Sequence, residues 1–205
     1  LAAMADANGT DLTQFRRWYS QGGTPVIKVE GSFDESVQEF CLTVTQSCPE
    51  TPGQSDKQPF LIPLQLGLLG PDGSDLPLQL SGEANHQGST RTLQVTQAEQ
   101  SFTFINIAAA PVPSLLRDFS APAKLEYPYS RTELAFLFAN DSDAFNRWEA
   151  GQRLATEVIL EMASAPATTG LVDGPDVFVQ AFRAALMGTP VDPASLALAL
   201  DLPGE

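Results

Sequence analysis

Glu157 and Glu161 stand one helical turn apart, a spacing that can present paired carboxylates for acid–base chemistry. No His, Lys or Arg constellation accompanies them, so they read as a solvated helix face. Asp141-Ser142-Asp143 has the opening letters of a calcium loop. Position six of that loop is Asn146 where the turn needs Gly, and position twelve is Gln152 instead of Glu. Helix capping by Asp141 or Ser142 is the expected role. His86 is the single histidine, and its polar surroundings from Glu83 to Gly88 place it in an exposed loop. One histidine excludes H-E-x-x-H zinc hydrolysis within this sequence. Phosphate-cradling glycine patterns, G-x-S-x-G and C-x-x-C are absent. Asn8-Gly9-Thr10 and Asn140-Asp141-Ser142 match the glycosylation sequon, a short pattern that recurs by chance. Arg16-Arg17 beside Trp18-Tyr19 suggests base stacking, but in so acidic a chain the two arginines read as ion-pair partners at a domain junction. The sequence therefore offers no catalytic, cofactor-binding or metal-ligating residues.

The charge balance explains that last choice. Eleven Lys and Arg face 25 Asp and Glu, a net charge of -14, and such a surface repels phosphate backbones and anionic lipid. Nucleic-acid and membrane partners are not expected. No apolar stretch reaches the ~18 residues of a membrane span, and no signal-peptide pattern opens the chain at Leu1-Ala2-Ala3-Met4, which reads as a fragment of a longer protein. Cys41 and Cys48 lie about 23 Å apart if extended, so they are expected to stay unbonded, as in a reducing compartment. With 43% hydrophobic and 18% charged residues and a mean hydropathy of -0.06, the chain has the composition of a folded soluble protein.

These residues need elements to hold them. Leu1 to Tyr19 reads as two short helical pieces, with Asp11 and Gln14 at capping-box spacing and Gly22-Gly23-Thr24-Pro25 as the stop. From Val26 the period changes to two. Strands are expected at Val26–Val29, Phe40–Thr45, Phe60–Leu69, Leu76–Leu80, Arg91–Val95, Phe102–Ile107, Ser114–Phe119 and Lys124–Tyr127. Seven or eight strands over roughly 100 residues, with frequent turns and 16 prolines, fit an immunoglobulin-like β-sandwich. From Thr132 the pattern is helical: one helix carries Phe145, Trp148, Ala155, Val158, Ile159 and Met162, a second begins near Pro175 and ends at Gly188, and a third opens at Asp192-Pro193. No internal repeat is visible, although the helix pairs resemble the first step of a solenoid. The fold class is mainly β, a sandwich flanked by an N-terminal helix and a C-terminal set of helices.

The stretch Phe15 to Val26, with its core W-x-x-Q-x-G-x-P from Trp18 to Pro25, resembles the segment leaving the catalytic domain of zinc-dependent aminopeptidases of the aminopeptidase N family. Lys57-Gln58-Pro59, Ile62-Pro63, Val95 to Gln100, Pro111-Val112-Pro113, Phe119 to Pro122 and Lys124 to Tyr127 sharpen the likeness toward the bacterial branch. Asn140 to Leu154, Asp176 to Leu186 and Asp192-Pro193-Ala194 extend it, while Gly70 to Gly88 and Ala165 to Gly174 depart from it. The resemblance implies residues 1–24 as the end of a catalytic domain, 25–130 as the sandwich and 131–205 as the start of a C-terminal helical domain. It further implies a cytoplasmic parent enzyme that removes N-terminal amino acids from peptides with one zinc ion. The zinc ligands and catalytic Glu would lie outside this segment. Its partners would be the catalytic and helical domains of the same chain.

Two other readings compete. A stand-alone immunoglobulin-like binding module would be expected to have polar ends and export signals. A carboxylate-only hydrolase such as a glycosidase needs two acids about 5–10 Å apart across a cleft.

Overall fold

The computed structural model describes residues 1–164, 174–188 and 192–203. Two short helices come first, α1 (Ala2–Asn8) and α2 (Arg17–Ser20). Seven strands follow: β1 (Val26–Asp34), β2 (Glu39–Ser47), β3 (Ile62–Leu69), β4 (Thr90–Val95), β5 (Glu99–Phe104), β6 (Val112–Leu115) and β7 (Lys124–Glu126). Among the described residues four helices complete the chain: α3 (Arg131–Asn140), α4 (Ala144–Ser164), α5 (Gly174–Met187) and α6 (Pro193–Ala199).

The strands form two sheets, ordered β5-β2-β1-β7 and β4-β3-β6. All pairings are antiparallel except β1 with β7. Alternation fixes the inner faces: Ile27 and Val29 of β1 and Phe40, Leu42 and Val44 of β2 oppose Ile62, Leu64, Leu66 and Leu68 of β3, all buried. Burying each Leu or Ile contributes about 1.5–3 kcal/mol. Gly31 is accommodated within β1 where a Cβ would sit 2.8 Å from the Phe40 ring and 2.9 Å from the Tyr127 hydroxyl.

Three expected strands are altered. Leu76–Leu80 is not a strand: Pro77 has no N–H to give a ladder, and although Leu76 N–H donates to Leu68 O and Leu78 N–H to Gly88 O, the pairing reduces to isolated bridges, Asp75 to Leu69 and Leu80 to Phe104. Ser114–Phe119 stops at Leu115, where the left-handed backbone of Leu116 (φ 56°) turns the chain. β5 likewise ends at Phe104, before Asn106 at φ 62°.

At its far end β3 is buried on both faces, and Leu69 leaves the sandwich core for a second core with Leu134, Leu137, Phe138, Ala150 and Leu154. This second core belongs to the helices. α3 starts in a capping box, where the Ser130 hydroxyl accepts from Glu133 N–H and Glu133 accepts from Ser130 N–H. It is a helix of its own, ahead of the helix that carries Phe145 and Trp148. α4 packs closely on it because Gly151 leaves room for the Phe138 ring. α6 starts at Asp192, whose carboxylate accepts from Ser195 N–H, with Pro193 in the first turn. Of the expected loop departure at Ala165 to Gly174, residues 165–173 lie outside the described residues. Among the described residues no helix is long and apolar enough to cross a membrane.

Candidate functional site

Two seams flank the sandwich, and the polar residues of the chain converge on them. At the N-terminal seam, Trp18 lays its ring on Phe60 at 4.6 Å and donates from Nε1 to Leu61 O at 2.8 Å. Gln21 exchanges two bonds with the backbone of Gln58, at 2.9 and 2.7 Å. Gln14 donates to Thr96 O at 2.6 Å, and Arg17 donates to Pro59 O. Lys57 Nζ returns to Gly22 O at 3.0 Å and to Thr51 Oγ1 at 2.6 Å. The spacing W-x-x-Q-x-G thus has a physical content: one short helical turn presents an indole, an amide and a carbonyl to the extended segment 57–61. Two expectations fail here. Gln14 reaches across to the sandwich and closes no capping box, while Asp11 takes Thr13 N–H in a local turn. Arg16 and Arg17 make no ion pair among the described residues; Arg17 is spent on a carbonyl.

At the helical seam the organising residue is Arg117, which is 2% exposed. β6 carries Ser114 beside β3. The backbone then turns through left-handed conformations at Leu116, Asp118 and Phe119 (φ 56°, 55° and 47°), sending the Arg117 side chain under β3. The space it fills exists because residue 67 is Gly; a Cβ there would overlap the guanidinium. Nε donates to Ser114 Oγ at 2.8 Å and Nη1 to Thr90 Oγ1 at 2.8 Å and Asp75 Oδ2 at 3.2 Å. Nη2 donates to Asp75 Oδ1 at 2.6 Å and to Asp141 Oδ1 at 3.2 Å. Every guanidinium donor therefore has an acceptor, which a buried charge requires.

The acceptors come from both sides of the seam. Asp75 and Thr90 belong to the sandwich, Asp141 to the α3–α4 connection. Ser142 adds a bond to Asp75 at 2.5 Å, and Asn146 of α4 donates to Ser114 Oγ at 2.8 Å and Leu115 O at 2.9 Å. Burial opposes the charge on Arg117, but the Asp75 hydrogen bond and the Asp141 field outweigh it and raise its pKa. Burial pushes the Asp141 carboxyl up to about 6, against the pull of Arg117, and its Oδ2 is left without a hydrogen bond. Further along the seam Tyr129 donates to Pro113 O at 2.7 Å beneath the Arg153 guanidinium, 5.3 Å from its ring. Arg147 donates to Phe138 O at 3.0 Å, Ala139 O at 3.1 Å and Ala185 O at 3.4 Å, so one cation closes the C-terminal ends of α3 and α5.

Asp141 and Ser142 do not cap α4. Asp143 does, accepting from Asn146 N–H at 2.9 Å, while Asp141 accepts from Asp143 N–H and faces Arg117. Glu157 and Glu161 are not a free face either: Arg131 of α3 pairs with them at 3.3 and 2.5 Å. His86 is exposed in a loop and both cysteines are free thiols. Among the described residues no three His, Cys, Asp or Glu side chains are grouped to hold a metal ion, and the acids of the seam are engaged by Arg117. The donor set of the described residues does not fit a zinc ion, whose ligands the resemblance places outside this segment.

Two facing sheets joined to helix pairs define an immunoglobulin-like sandwich continued by an all-helical region. The chain belongs to the family described as a domain of unknown function with an Ig-like fold, DUF3458, whose model matches residues 23–128. Residues 131–205 match the companion family DUF3458_C, described as ARM repeats. The repeat escapes a sequence reading because the helix pairs differ, 10 and 21 residues against 14 and 7. The chain is 43% identical over 202 residues to Aminopeptidase N of Escherichia coli, covering 98% of this chain and 23% of that protein. It is 39% identical over 206 residues to Aminopeptidase N of Caulobacter vibrioides, covering 100% of this chain and 22% of the relative. A crystal structure of Legionella pneumophila aminopeptidase A in complex with aspartic acid superposes with a TM-score of 0.78 at 27% identity, covering 99% of this chain and 21% of that one. The chain thus spans less than a quarter of the length of these relatives.

Proposed function

We propose that this chain is the joint of a zinc-dependent aminopeptidase N that removes N-terminal amino acids from peptides in the cytoplasm. Residues 1–24 would end its catalytic domain, 25–130 would form the sandwich and 131–205 would begin the helical domain. The observation that carries the reading is the 43% identity to an aminopeptidase N across 98% of the chain. The two seams supply the mechanism: each fixes the sandwich to a neighbour, so the sandwich would set the distance and angle between catalytic and helical domains. Zinc and the general base would lie elsewhere in the parent, on H-E-x-x-H and a further Glu ahead of Leu1.

The test is made in the complete gene product. Arg117→Ala should lower kcat/KM for aminoacyl substrates by roughly tenfold or more while bound zinc is unchanged, since a small misplacement of enclosing elements is costly in rate. An undiminished rate would remove the joint role. A reading frame without H-E-x-x-H, or a gene product without aminopeptidase activity, would remove the enzyme reading and favour a stand-alone binding module.

A further inference from the structure

The outer surface of the helical seam carries three neighbouring aromatic rings. Phe119 lies 5.4 Å from Phe145, and Phe145 lies 5.7 Å from Trp148. Phe119 is 57% exposed and Trp148 38%. Phe119 comes from the turn that carries Arg117, and the other two rings come from the first turns of α4, so the patch bridges sandwich and helices. Its backbone is strained at the point that matters. Placing Arg117 accounts for the left-handed turn, but at Phe119 (φ 47°) Gly or Asn would adopt that conformation at lower cost. A bulky residue is held there with most of its ring in solvent, the kind of local strain that marks sites of contact.

The rim of the patch is acidic. Asp118 is exposed and its N–H is held by Asp143 Oδ2 at 2.9 Å. Asp143, the cap of α4, stands two residues before Phe145, and Gln152, one turn beyond Trp148, bonds to Asp201 O at 2.6 Å. The nearby guanidinium groups are committed: Arg117 is buried, and Arg147 closes the ends of α3 and α5. Aromatic faces ringed by carboxylates attract guanidinium and ammonium groups through both cation–π and ionic contact, and aromatic anchors dominate protein interfaces. We propose that the Phe119–Phe145–Trp148 surface docks an arginine- or lysine-bearing polypeptide segment of a partner protein. The proposal does not depend on the aminopeptidase reading.

Trp18 and Trp148 are the two tryptophans of the chain, so Trp18→Phe leaves Trp148 as the reporter. Adding a deca-arginine peptide should change Trp148 emission saturably, and a deca-glutamate peptide at equal ionic strength should not. Fluorescence anisotropy of a labelled deca-arginine peptide on the unsubstituted chain should give the same midpoint, which keeps the test independent of the Trp18 substitution. Phe119→Asn suits the local backbone and keeps the charge, and it should raise that midpoint at least about tenfold. The proposal is overturned if binding is absent, or if Phe119→Asn binds equally well, which would mean diffuse attraction to a chain of net charge -14. It is also overturned if the chain dimerises without peptide and shields Trp148, because the occupant would then be a second copy.

Discussion

The sandwich is fastened on its two sides by different chemistry. The N-terminal seam uses neutral donors, Trp18, Gln14 and Gln21, aimed at backbone carbonyls, with two cations, Arg17 and Lys57, that also settle on neutral acceptors. The helical seam closes on one buried cation, Arg117, with carboxylates from both sides. Neutral bonds each contribute about 1 kcal/mol, and losing one leaves no charge stranded. A buried ion differs, because removing either partner strands the other charge away from water. The first seam should therefore weaken by degrees and the second should fail as a unit.

The largest expected effect is at the helical seam. Arg117→Ala should cost about 3–5 kcal/mol in chemical denaturation, because Asp75 and Asp141 would lose their counter-charge. Trp18→Ala should cost about 2 kcal/mol, less than a core indole, since the ring is only half-buried. A cost for Trp18 equal to that for Arg117 would erase the contrast.

The third effect is a pH dependence. Asp141 has a folded pKa of about 6 against an ordinary value of 3.8, so the folded state binds its proton more tightly than the unfolded state does. The charged form is therefore a cost above the folded pKa, relieved as pH falls through it. Measured against Asp141→Asn, which does not titrate, wild-type stability should rise by roughly 1 kcal/mol between pH 7 and pH 5. A fall over that interval would mean that the ion pair with Arg117 outweighs burial. The smallest effect is Gln21→Ala, expected to cost about 0.5–1.5 kcal/mol and to leave the pH profile unchanged, as read by melting at both pH values.

The same contrast explains what was legible in the sequence. Alternation gave the strands because the sandwich has one wet and one dry face, and W-x-x-Q-x-G was visible because its residues are consecutive. Arg117 was not visible. Apart from Ser114, its partners lie 42, 27 and 24 residues away, at Asp75, Thr90 and Asp141, and a serine three residues off does not distinguish it from a surface arginine. Gly67 inside an apolar strand was the one available signal, since a glycine there implies a close approach. Asp141 and Ser142 are indistinguishable in sequence from the actual cap, Asp143, because all three are capping residue types within one short stretch and only the fold turns Asp141 toward Arg117. The pairing of Arg131 with Glu157 and Glu161 is not legible in the sequence because it exists only once α3 packs on α4.

Arg117 should make the sandwich and the helices unfold together. Trp148→Phe leaves Trp18 to report on the sandwich, and Trp18→Phe leaves Trp148 to report on α4. Urea unfolding followed at the two tryptophans should give coincident transitions, and adding Arg117→Ala should separate them, with Trp148 losing its structure at lower urea. Coincident transitions that persist in Arg117→Ala, or separate transitions with Arg117 intact, would contradict the account.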